Sequence, residues 1–116
     1  FGTASRFFRH HFVCNYCFLV LYDADGRNIT PDKLKRRERD ALFAVCDVHL
    51  EALVRILQPG LVIGIGKFSE GRIRALHEKV GGFEPAGILH PSPASPLANR
   101  NWAGDTIQRL EGLGLW

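Results

Sequence analysis

The segment GILHPSPASPLANRNW, residues 87–102, carries an apolar run out to a histidine and then into Pro91, Pro93 and Pro96. A neutral imidazole fixed at the end of a strand can donate one hydrogen bond to an oxygen that gains negative charge. A preorganised donor of that kind is worth roughly 2.7–4 kcal/mol in a transition state. His90 is therefore the first candidate catalytic group, although a strand-end histidine taken alone is more often structural. The prolines lock the backbone that leaves it, which suits a loop that must press against something. A second candidate is Asn15, a carboxamide in the middle of FVCNYCFLVLY. An amide buried in such a run needs partners, or it costs roughly 1–3 kcal/mol. The bland partner is the backbone of a nearby loop. The functional partner is the edge of a pyrimidine, since the amide sets a donor beside an acceptor.

Gly66-Lys67 follows a short apolar run and precedes a helical pattern. Backbone N–H groups at such a turn can meet an anion, and Lys67 stands beside them as a phosphate contact; a plain tight turn is the competing account. The stronger phosphate motifs fail. A dinucleotide fingerprint needs its third glycine where Ser69 stands. A P-loop needs glycine at Leu61 and a hydroxyl residue at Phe68.

Cys14 and Cys17 form a C-x-x-C, and Cys46 is the third cysteine. No second ligand pair follows at zinc spacing, and the motif lies in a β-branched and aromatic run rather than at a helix start. Buried thiols in a strand are the expectation, with no metal and no cofactor. The DADGRN turn fails as a calcium loop because Arg27, Asn28 and Leu34 occupy its fifth, sixth and twelfth positions.

These groups need elements to position them. Residues 12–22 read as a fully buried strand of a parallel sheet, closed by the Asp-Gly turn. Thr30-Pro31-Asp32 reads as a helix start, with a capping hydroxyl and proline at the first position. Leu42, Cys46, His49, Leu53 and Leu57 then share one helical face, with His49 a packed side chain rather than a ligand. Pro59-Gly60 stops that helix. Residues 61–66 form a short strand, 67–80 a helix stopped by Gly81-Gly82, and 85–90 a last strand that ends on His90. A weaker helix covers 101–113, with Trp102, Ile107, Leu110 and Leu113 as its apolar stripe. Alternating strands and helices make this an α/β chain with a parallel sheet.

The chain has 116 residues, 46% of them apolar and 23% charged, so it is one domain at most and globular in composition. Its net charge of +3 is compatible with a polyanionic partner without arguing for one. No apolar run reaches eighteen residues and no signal-peptide pattern opens the chain, so neither a membrane nor secretion is expected.

FVCNYC, DGRNITPDKL, LVIGIGK and GILHPSPASPLANRNW together resemble the C-terminal half of the single-strand-selective monofunctional family in the uracil-DNA glycosylase superfamily. The resemblance runs in order through essentially all 116 residues, so residues 1–116 read as the C-terminal portion of one such domain. It implies a three-layer α/β/α fold with a parallel sheet, incomplete at the N-terminus. It also implies excision of uracil, or an oxidised relative such as 5-hydroxymethyluracil, from single- or double-stranded DNA by a monomer that needs no cofactor or metal. The expected compartment is the nucleus in a eukaryote and the cytoplasm in a bacterium.

On this resemblance Asn15 reads the pyrimidine and His90 bonds uracil O2. Pro91, Ser92, Pro93, Ala94 and Asn99 belong to the wedge that enters the duplex, stiffened so that insertion loses little loop entropy. Gly66, Lys67 and Arg100 are expected to meet phosphates. The family's Gly-Met-Asn-Pro-Gly-Pro segment, whose asparagine holds the attacking water, has no counterpart here and is expected upstream of Phe1 with the aromatic that stacks on the base. The chain alone is thus expected to be nearly inactive. Phe18 replaces a usual proline, and Ala94 stands where some members carry arginine. The alternative reading is a non-catalytic DNA-binding module of the same fold.

Overall fold

Asp23 organises a tight turn near the start of the chain. Its carboxylate accepts the N–H groups of Asp25 and Arg27, both at 2.9 Å, and Gly26 supplies the left-handed φ of +76° that closes the turn. The turn joins two short antiparallel strands, β1 (Leu21–Tyr22) and β2 (Asn28–Ile29). In the computed structural model, which describes residues 2–92 and 98–115, these follow a short helix α1 (Ala4–Phe7). A 3₁₀ turn (Pro31–Lys33) and the helix α2 (Arg36–Leu57) come next. The chain divides into two compact units, Phe1–Leu50 and Glu51–Trp116, with the boundary inside α2.

The first unit departs from the sequence expectation. Residues 12–20 form no strand; they run irregularly, and Phe12, Val13, Phe18, Leu19 and Val20 are exposed. Tyr16 ties this segment to α2: its hydroxyl donates to the Asp47 carboxylate at 2.7 Å and lies 3.2 Å from the Phe43 carbonyl. The Phe18 ring packs on His49, centroids 4.4 Å apart, so His49 is the packed side chain it was expected to be. An apolar run becomes a buried strand only where flanking strands take up its N–H and C=O groups. Among the described residues none pairs with it. Cys14 is accordingly exposed and Cys17 half-buried, while Cys46 alone of the three thiols is buried.

The expected single helix from Thr30 is also broken. Leu34 is extended (ψ 152°), and α2 starts afresh, with Glu38 reaching back to accept the Lys35 N–H at 3.2 Å as in a capping box. The Thr30 hydroxyl bonds the Asp32 carboxylate instead of capping a backbone N–H, which holds that carboxyl below its usual range. Leu57, placed on the inner face by its spacing, lies in the last turn and is exposed.

The second unit follows the sequence closely. β3 (Leu61–Ile65) and β4 (Glu84–Ile88) pair in parallel, with Gly64 opposite Gly87 and Ile65 opposite Ile88. The crossover between them is α3 (Lys67–Val80), opened by Gly66 (φ +91°) and closed by Gly81 (φ +62°), whose N–H bonds the His77 carbonyl at 2.8 Å. Ile73 and Leu76, three residues apart on α3, are buried with Phe83 and Ala86. A final helix α4 (Ala98–Gly112) breaks at Asn101 (φ −161°, ψ 49°) and then runs straight from Trp102. From there Trp102, Leu110 and Leu113 are half-buried and Thr106 is buried, while Ile107 is turned outward. The fold is thus mixed, with a small parallel sheet of the α/β kind. Among the described residues no helix is long and apolar enough to cross a membrane.

Candidate functional site

His90 lies two residues beyond β4, not at its last paired position as the sequence suggested. The ladder stops at Ile65–Ile88 because β3 ends there: Gly66 turns away into α3, and its N–H closes the sheet on the Ile88 carbonyl at 2.8 Å. The two residues after Ile88 are then held by other means. The Trp102 indole N–H donates to the Leu89 carbonyl at 2.7 Å, and the Ser92 N–H donates to the His90 carbonyl at 2.8 Å. The His90 ring is exposed.

Gly66 and His90 meet at this corner. A Cβ placed on Gly66 would stand 3.1 Å from the His90 Cβ and 3.7 Å from its Cδ2. The glycine turn and the histidine, two separate sequence signals, therefore form one feature, with Lys67 exposed beside them. Pro91 and Arg100 are exposed and Ser92 is half-buried. Pro93 and Ala94 lie outside the described residues, and Asn99 is part of α4.

Asn15 belongs to the first unit. It is exposed, not the buried strand amide that its sequence context implied, because among the described residues no strand pairs with the apolar run around it.

Two supports escaped the sequence reading. One is the Trp102 hydrogen bond; a tryptophan N–H generally finds a partner once its ring is half-buried, so the residue type was the available signal. The other is Glu70. A Cβ on Gly64 would collide with the Ser69–Glu70 backbone, and one on Gly87 would collide with the Glu70 carboxylate. The paired glycines let the first turn of α3 settle onto the sheet, and Arg74 Nη2 neutralises Glu70 at 2.6 Å. The i,i+4 spacing of Glu70 and Arg74 was the available signal for their ion pair, while nothing at the level of spacing marked the facing glycines.

An imidazole at a sheet corner beside a helix start and a lysine can meet an anionic or polarised oxygen. A bovine protein named single-strand selective monofunctional uracil DNA glycosylase is 44% identical over 115 residues, 98% of this chain. This chain is a homologue of the single-strand selective monofunctional uracil-DNA glycosylases. Proteins of that name from rat and mouse are 42% and 41% identical over the same share. The chain spans about two-fifths of the length of these relatives, 42% of the bovine one. No protein-family model matches it.

Proposed function

We propose that the protein is a monofunctional DNA-repair glycosylase that flips uracil, or an oxidised uracil such as 5-hydroxymethyluracil, out of DNA and hydrolyses its N-glycosidic bond. Similarity to proteins of that name over 98% of the chain carries this reading. The held position of His90 beside Gly66 is consistent with it. In the finer fold belonging to the proposal, β3 and β4 lie in the sheet of a three-layer α/β/α domain.

The chemistry assigned to these residues is limited. The bond from the sugar C1′ to uracil N1 breaks with its electron pair leaving on the base, and the sugar passes through an oxocarbenium-like state. Charge reaches uracil O2, where the His90 imidazole donates its N–H. Asn15 reads the pyrimidine edge, and Lys67 and Arg100 hold phosphates without reading sequence. Pro91 and its neighbours form the wedge that keeps the base out of the stack. The chain contains no Gly-Met-Asn-Pro-Gly-Pro segment, so the group that holds the attacking water is not among its residues.

The test is base release from a uracil-containing single-stranded oligonucleotide, using the full-length protein. Abasic sites are expected. His90→Ala should mainly lower kcat, and Lys67→Ala should mainly weaken binding and flatten its salt dependence. Binding without base release would favour a DNA-binding module over an enzyme. Neither binding nor release would reject both.

A further inference from the structure

We propose that Trp102 is a positioning residue for His90, a role that rests on the glycosylase reading above. The indole Nε1–H donates to the Leu89 carbonyl at 2.7 Å, in a part-buried contact. That carbonyl belongs to the peptide unit whose N–H is His90's own. Fixing its plane fixes the first half of the frame from which the imidazole projects.

Sheet pairing cannot do this work, since the last register pair is Ile65–Ile88 and the Gly66 N–H is spent on the Ile88 carbonyl. Beyond that point the strand has outrun its neighbour. The peptide after His90 is tied by the Ser92 N–H on the His90 carbonyl at 2.8 Å, and the flank of the side chain is set by contact with Gly66. Trp102 supplies the tie before it.

The break in α4 makes the reach possible. Asn101 leaves helical geometry, and its carboxamide folds over Gly104, where a Cβ would collide with it. Trp102 is thus the first residue of the straight helix, placed opposite the end of β4 by its bond to Leu89. Phenylalanine could occupy only part of the same half-buried space and would leave the carbonyl without this donor.

The experiment replaces Trp102 with β-(3-benzothienyl)alanine, in which sulfur takes the place of the N–H in an otherwise isosteric ring, and compares it with Trp102→Phe. Both are made in the full-length protein. Two readouts are taken: kcat and KM for uracil release, and the Leu89 carbonyl carbon shift with His90 amide exchange by NMR. Losing one neutral hydrogen bond should lower kcat roughly 3- to 10-fold with KM within about twofold. The Leu89 shift should move and His90 exchange should quicken, with the melting temperature nearly unchanged. An unchanged kcat despite a moved Leu89 shift overturns the proposal; so does a fall in kcat matched by equal losses in binding and melting temperature. Should the unsubstituted protein release no uracil, the glycosylase reading fails by itself. The His90 exchange then decides separately whether the indole fixes this residue.

Discussion

Gly66 leaves room for His90: a Cβ added to the glycine that opens α3 would stand 3.1 Å from the histidine's Cβ, so close that the neighbour would have to give by a few tenths of an ångström. Gly66 also sits at φ +91°, a region that L side chains rarely adopt. Gly66→Ala meets both obstacles, and a backbone held in such a region costs roughly 1–3 kcal/mol. The urea unfolding midpoint should fall accordingly. On the proposed glycosylase reading, uracil release should fall further than the stability loss accounts for, because the methyl crowds His90.

Gly64 and Gly87 face each other across the parallel pair, yet their substitutions should differ. A Cβ at position 64 strikes the Ser69–Glu70 backbone, which cannot rotate away. Gly64→Ala should cost roughly 1–3 kcal/mol, as overpacking does. A Cβ at position 87 strikes the Glu70 side chain, which can swing aside at the expense of its bond to Arg74. Gly87→Ala should therefore cost distinctly less, and equal losses in denaturant titrations would contradict the contact geometry.

Glu51 sets an acid limb for stability. Lys79 Nζ bonds one of its oxygens at 2.6 Å, and Arg55 bonds the other at 2.9 and 3.0 Å. The Lys79 bond first, and Arg55 second, hold the Glu51 carboxyl below its ordinary value of 4.5. Folding thus favours the ionised form. Its contribution is complete above that ordinary value and is lost as pH falls through the lowered one. Glu51→Gln should flatten this part of the stability profile, followed by circular dichroism from neutral pH downward, and leave the profile above it unchanged in shape.

The three thiols should separate by reactivity. Cys46 is fully buried in the native protein, whereas Cys14 is exposed and Cys17 half-buried. Partial desolvation pushes the Cys14 thiol up from its usual pKa, so it needs more alkaline conditions than exposure alone suggests. Alkylation followed by peptide mapping should find Cys14 and Cys17 modified without denaturant, Cys14 increasingly so as pH rises. Cys46 should react only once the protein unfolds.

The sequence by itself determined the second unit's β3, α3 and β4, the Asp23 turn, and the packed state of His49. Their signals are local. A glycine that must take positive φ, a carboxylate two and four residues before the N–H groups it accepts, and apolar residues repeating every three or four positions act within a single turn of chain. Tertiary structure decided what residues 12–22 became and how His90 is held. The same apolar run makes a buried strand beside other strands and an irregular segment pinned by Tyr16 without them, which is why Asn15 is exposed. His90 was legible as a residue and its frame was not, because the groups that fix it, Gly66 and the Trp102 indole, arrive from 24 and 12 positions away in sequence.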